Sequence, residues 1–245
     1  MNPYIFTLSL GQIAGQRRTI MMLLLAALPV LLAVVFEFAA DPAEDPMDFF
    51  AAGLVRLVVG LTLPLTALVF GTAVLGQDLE DGTAVYLLGK PLPRWRILVE
   101  KAGAAWVATA ALTALSVATT GVILLAGEGG YRAIPAFAAA AALGSLAYVS
   151  LFLCLSVFFS RALIIGLVYV FVWEASVSAI VSNLQYVSIR GFTLGIADWA
   201  GDAPRGTIDA TLGPVESFAL IAAATALAIF LGSRRLASFE IGEQT

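Results

Sequence analysis

A helix needs about 20 consecutive, predominantly apolar residues to cross a hydrocarbon core of roughly 30 Å, and this chain contains six such stretches. They fall at about 19–38, 54–76, 97–126, 133–159, 162–181 and 215–233, the fifth interrupted by Glu174. Backbone groups left unpaired in lipid restrict membrane-spanning chains to helices and closed barrels. Alternating ten-residue strands are absent from the sequence, so the expected fold is an all-α integral membrane protein, a single transmembrane domain over residues 1–245. Composition agrees: 12% of residues are charged and 60% hydrophobic, against about 25% charged in soluble domains.

Basic residues orient the bundle, because cytoplasmic loops are enriched in Lys and Arg while acidic residues count for little. With the N-terminus inside, Arg17, Arg18, Lys90, Arg94, Arg96, Lys101, Arg161, Arg234 and Arg235 are cytoplasmic, and only Arg56, Arg132, Arg190 and Arg205 fall outside. The first external loop, Glu37 to Phe50, holds five acids and no base. The reading is therefore a multi-pass protein of the plasma (inner) membrane with both termini cytoplasmic. A cleaved signal peptide fits poorly, since the leader before Arg17 is long and Phe38 occupies a position that cleavage reserves for a small residue. Residues 1–18 read as an interfacial helix with Phe6, Leu10 and Ile13 on one side. The net charge of −4 and the lack of clustered bases argue against a nucleic-acid partner.

The chain carries no catalytic or metal-binding motif. It has no histidine, which removes the H-E-x-x-H zinc site and Ser-His or Cys-His nucleophile pairs, and its single Cys154 lies in the fourth span. Phosphate-cradling G-x-x-x-x-G-K-[ST] is missing too: around Gly82 to Lys90 the glycine spacing is wrong and Pro91 stands in the hydroxyl position. No cofactor is expected on this chain; an ATP-powered function would need another subunit.

One long segment, residues 77–101 (QDLEDGTAVYLLGKPLPRWRILVEK), is polar and charge-dense. Asp78 can cap a short helix running to Leu88, stopped by Gly89 and Pro91, and Pro93 suits the start of a helix continuing through Arg94 and Lys101 into the third span. Such an elbow is rigid, whereas a Gly/Ser tether would absorb displacement. Anchoring to anionic lipid through Arg94, Trp95 and Arg96 is the plainer alternative.

The order Asp78, Glu80, Asp81, then Gly82-Thr83, Leu87-Leu88, Pro91, Arg94 and Glu100-Lys101 resembles the first cytoplasmic loop of ABC-2 type permeases. The resemblance implies six transmembrane helices, an interfacial N-terminal helix, a cytoplasmic coupling helix in this loop, and a re-entrant hairpin over 182–213 before the last span. It further implies a dimer with a second permease copy or homologue, and separate ABC ATPase subunits that bind ATP and Mg. Asp78, Glu80, Asp81, Gly82, Thr83, Leu87, Leu88, Pro91, Arg94 and Lys101 are the expected ATPase-coupling residues.

Glu174 is a charge inside a span, which costs about 2.5–3.5 kcal/mol on insertion scales unless it is paired or faces water. The pattern Tyr169, Trp173, Glu174, then Ser188, Ile189 and Arg190 is similar to one branch of the same permeases. Two readings stand: Glu174 and Arg190 form a buried ion pair that locks the fifth helix to the hairpin, or they lie on a substrate path. Small residues at three- and four-residue spacing, Ala104, Ala105, Ala108 and Ala111 on the third span and Ala138, Ala141, Ala142 and Ser145 on the fourth, read as packing faces. Gly53, Gly60, Pro64 and Gly71 mark a kinked second span or ordinary packing.

The expected function is ATP-driven export of an unidentified substrate by an ABC permease subunit embedded among membrane lipids. Alternatives are a permease that transmits mechanical work to an extracytoplasmic partner, and an ion-coupled secondary transporter using Glu174.

Overall fold

The computed structural model describes residues 3–14, 17–39, 45–80, 93–125, 131, 133–177, 187–201, 210 and 212–237. Every regular element among them is helical. Helix α1 (Pro3–Ala14) is followed by α2 (Arg17–Ala39). The second long helix opens with a short turn, Pro46–Asp48, which Asp45 caps by accepting from the Met47 amide at 2.8 Å. It passes through two π-helical stretches, Phe49–Val55 and Val58–Thr62, before ending as α3 (Leu63–Glu80). Next come α4 (Arg94–Leu125), α5 (Ala133–Phe158) and α6 (Ala162–Val168), the last continuing as a π-helix, Tyr169–Val177. The described elements end with α7 (Ile189–Ala200) and α8 (Pro214–Ala237).

Five described helices are long and apolar enough to cross a membrane: Arg17–Ala39, Pro46–Gly76, Arg94–Leu125, Ala133–Phe158 and Pro214–Ala237. The expected fifth span, 162–181, is different in kind. Its described part is seven residues of α-helix followed by nine of π-helix, and it counts as a shorter apolar helix. The second span, where Gly53, Gly60, Pro64 and Gly71 left a kinked helix or ordinary packing open, contains the two π stretches. Pro64 has no N–H to offer the Gly60 carbonyl, so regular α hydrogen bonding is interrupted there.

Helix α5 is the hub, packing against α3, α4, α6, α7 and α8. The α4–α5 contact is the most extensive, and Ala104, Ala105, Ala141 and Ser145 are all buried in it or beside it. Trp106 Nε1 donates across it to the Ala142 carbonyl at 2.8 Å. Ala111, by contrast, is exposed. Four buried threonine hydroxyls bond one turn back along the helix: Thr66 donates to Thr62 O, Thr72 to Leu68 O, Thr109 to Ala105 O and Thr113 to Thr109 O, at 2.7–2.9 Å. That back-bonding lets polar residues sit at bilayer depth without an orphaned group.

The outer helices α2 and α8 present large apolar side chains outward, among them Met21, Leu24, Leu31 and Val35 on one and Leu227 and Phe230 on the other. An exposed apolar stripe of this length is what a lipid-facing helix requires. Helix α1 is separate from α2 and packs on α4 and α3, with Ile13 and Ser9 buried and Phe6 against Gly103. The Thr19 hydroxyl donates to the Ile13 carbonyl across the break. Pro3–Ala14 is thus a helix seated on the bundle.

Candidate functional site

Two places in the bundle hold buried charge against the second span, one near its Val74 and one near its Gly60. The first lies where that span and the third approach the 77–101 segment. Helix α3 continues to Glu80, so Asp78 and Glu80 belong to the backbone of the second span's helix and Asp78 does not begin a separate one. Asp81, Gly82, Thr83, Leu87, Leu88 and Pro91 lie outside the described residues. The chain is described again at Pro93, whose carbonyl accepts from the Arg96 amide at 3.0 Å and so starts α4, as the proline predicts. Arg94 is half-buried and Trp95 is exposed.

Lys101 is 1% exposed, among the largest fully buried side chains of the molecule. Its Nζ donates to the Val74 carbonyl on α3 at 2.5 Å. Glu100, equally buried, accepts from Arg96 Nε at 3.1 Å, one turn away along α4. Around these charges sits a small apolar cluster distinct from the main core: Leu75 of α3, Leu98 and Ala102 of α4, Leu153 and Val157 of α5, and Leu236 of α8. A Cβ at Gly232 would stand 2.6 Å from the end of the Leu98 side chain, so α8 packs closely on α4 here. Four helices are fastened together directly beneath the segment.

The second place is Glu174, also 1% exposed. The segment Ser188–Arg190 does return to it. Ser188 Oγ donates to one carboxylate oxygen at 2.5 Å, and the Ile189 amide donates to the other at 3.0 Å. The Tyr169 hydroxyl donates to that same oxygen at 2.8 Å. Tyr169 and Glu174 are five residues apart on one π-helix. An α-helix would turn them about 140° from each other, whereas a π-helix, which bonds i to i+5, brings them onto one face. The irregular helix therefore builds the pair.

Ser188 is the N-cap of α7 and accepts from the Gly191 amide at 3.2 Å. Glu174 and Ser188 together satisfy two of the amides that a helix start leaves without internal partners. The carboxylate lies at the N-terminal, positive end of the α7 dipole. Tyr148, wholly buried on α5, lies near enough to feel the charges of Glu174 and Arg190. An aromatic row, Tyr148, Phe152 and Tyr169, with centroids about 6 Å apart, encloses the cluster. The guanidinium of Arg190 packs over Gly60 of the second span, 3.5 Å from where a Cβ would stand. The Ser188 hydroxyl and the Ile189 amide bind Glu174 to this segment, and the Tyr169 hydroxyl binds it within its own helix.

Helix α7 itself is buried for most of its length, from Ile189 to Ala197. Close approach requires small residues at its crossings: a Cβ on Gly144 of α5 would collide with Thr193, and one on Gly195 with Ser217 of α8. A buried helix before the last span matches one arm of the expected hairpin; residues 202–209 lie outside the described residues. Sequence reasoning missed Tyr148 and the burial of Glu100 and Lys101. The i, i+5 spacing of Tyr169 and Glu174 was a visible signal only to a reader expecting a π-helix.

The fold and its two charged clusters define a polytopic, all-helical membrane subunit with no catalytic constellation among its described residues, and among them no cluster of metal-ligating side chains. A family model for the ABC-2 family transporter protein matches residues 16–201, and the chain belongs to that family. It is a multi-pass permease subunit of an ABC transporter, and association with ABC ATPase subunits comes with that membership. No curated relative matches the chain.

Proposed function

We propose that this chain is the membrane half of an ABC exporter, present as two permease copies or homologues, with both termini cytoplasmic and with ATP and Mg held by separate ATPase subunits. Segment 77–101 is the docking element: ATP-driven closure of the ATPases displaces it, the spans tilt, and the path opens outward. The observation that carries this reading is the fastening beneath the segment, where Lys101 bonds the Val74 carbonyl and a local apolar cluster joins α3, α4, α5 and α8. A loop that only rested on lipid would need no such base, whereas a lever needs a stiff one.

Orientation follows from the basic residues of that end, Arg17, Arg18, Arg94, Arg96, Arg161, Arg234 and Arg235. Glu174, already bonded by three donors of its own protomer, supports a structural role over an ion-coupled one, because a coupling carboxylate must exchange its partners during the cycle. The test is purification of the tagged chain from its native membrane. An ABC ATPase is expected to co-purify, and Glu80→Lys with Asp81→Lys to reduce its yield strongly. Unchanged recovery of the ATPase with the charge-reversed chain would remove the docking assignment.

A further inference from the structure

The two helices that carry the docking segment are cross-tied at matching depth. Val74 lies about six residues before the end of α3 and Lys101 about seven after the start of α4, which at 1.5 Å per residue puts each roughly 10 Å along its helix from Glu80 and Arg94 respectively. Resting on the permease reading above, we propose that Lys101 is the positioning residue of coupling: it does not touch the ATPase but makes α3 and α4 move as one body when the segment is displaced.

Three observations carry this. First, the side chain is 1% exposed, so its ammonium is closed to any docking partner. Second, a lysine ammonium is strongly hydrated, and its burial is tolerated only when bonded; one bond it makes is to the opposite helix, to a backbone carbonyl that moves only if the helix itself moves. Third, Leu75 follows Val74, and Leu98 and Ala102 flank Lys101, in the apolar cluster that includes α5 and α8. Displacement gathered by the tied pair therefore passes to two more spans. A backbone acceptor also explains how the tie survives motion: the long lysine stem can follow the carbonyl through small rotations, where a bidentate arginine pair would resist them.

The experiment reads the other charged cluster. Val187 is 59% exposed beside the Glu174 cluster, and the only native thiol is the buried Cys154, so Val187→Cys in a Cys154→Ser background gives one maleimide-reactive position. Its labelling rate is measured in membranes containing the complex with its co-purifying ATPase, with and without ATP and vanadate. Lys101→Met is expected to retain the ATPase and to lose the ATP-dependent change in labelling by about tenfold, within the usual range of coupling between sites. Lys101→Arg, which keeps a donor, is expected to recover a substantial part of it, which a merely packing role would not produce. If Lys101→Met does not accumulate, Lys101→Gln, with a shorter donor, takes its place on the same readout.

A full ATP-dependent change in Lys101→Met would overturn the proposal, and so would equal loss in the Arg and Met variants. Loss of the ATPase from the Lys101→Met complex would overturn it as well, by making Lys101 a docking residue. Absence of any ATPase from the unsubstituted chain is a different result: it removes the permease reading on which the proposal stands.

Discussion

Glu174 and Lys101 are both charged, both 1% exposed, and both inside a membrane bundle, yet the protein satisfies them in opposite ways. The carboxylate is met by donors that converge on it from two elements, among them a helix N-terminus and a hydroxyl positioned by a π-helix. Each of those donors is fixed by its own backbone, so the anion is over-determined and the α7 start cannot leave without orphaning several groups at once. The ammonium reaches on a flexible stem to a neighbouring helix's carbonyl. One cluster is fastened as an anchor and the other as a joint.

The largest expected effect tests the anchor. Glu174→Ala leaves the Ser188 hydroxyl and the Ile189 amide buried without their acceptor, and loss of one partner of a buried charged group costs about 3–5 kcal/mol; a large fall in detergent melting temperature, or failure to accumulate, is expected. Glu174→Gln keeps one acceptor oxygen and is expected to cost about half as much. It should lower stability and assembly more than it alters substrate choice, and normal melting with altered selectivity would move Glu174 from anchor to substrate path.

Gly144→Val addresses the same anchor through packing. The added side chain meets Thr193, and overpacking of this kind costs about 1–3 kcal/mol, read as lower thermal stability with faster amide exchange in α7. If exchange rises instead in α3 and α4, the two clusters are not mechanically separate. Ser188→Ala removes both the cap of α7 and a donor to Glu174 and is expected to cost about 1–2 kcal/mol. Tyr169→Phe deletes a single hydroxyl bond and is expected to cost about 1 kcal/mol. Equal losses for Ser188→Ala and Tyr169→Phe would mean that the cap adds nothing beyond one hydrogen bond.

What the sequence revealed and concealed divides along similar lines. Uninterrupted apolar runs made α2, α4, α5 and α8 legible, because crossing a bilayer is a length requirement that composition states directly. Pro93 and Pro64 marked a helix start and a helix irregularity for the same reason: a missing N–H acts locally. In the fifth span the mixture of α and π helix stayed hidden, because apolarity does not distinguish α from π hydrogen bonding. Asp78 was read as a helix start from its carboxylate, but the apolar helix before it simply propagates to Glu80. Lys101 was grouped with its charged neighbours in sequence, and nothing local says that a lysine beside Glu100 turns inward to Val74. Burial is decided by the fold of other segments. Glu174 stood out as a lone charge in a span, while its bonds to Tyr169, Ser188 and Ile189 waited on geometry.

The central claim, that a separate ATPase moves this chain through residues 77–101, is tested most directly by placing a photo-crosslinking residue at Leu88 in the full chain and irradiating native membranes. The account predicts a covalent adduct with an ABC ATPase subunit, diminished when Glu80 and Asp81 are charge-reversed. Adducts confined to lipid, with no ATPase among the products, would contradict it.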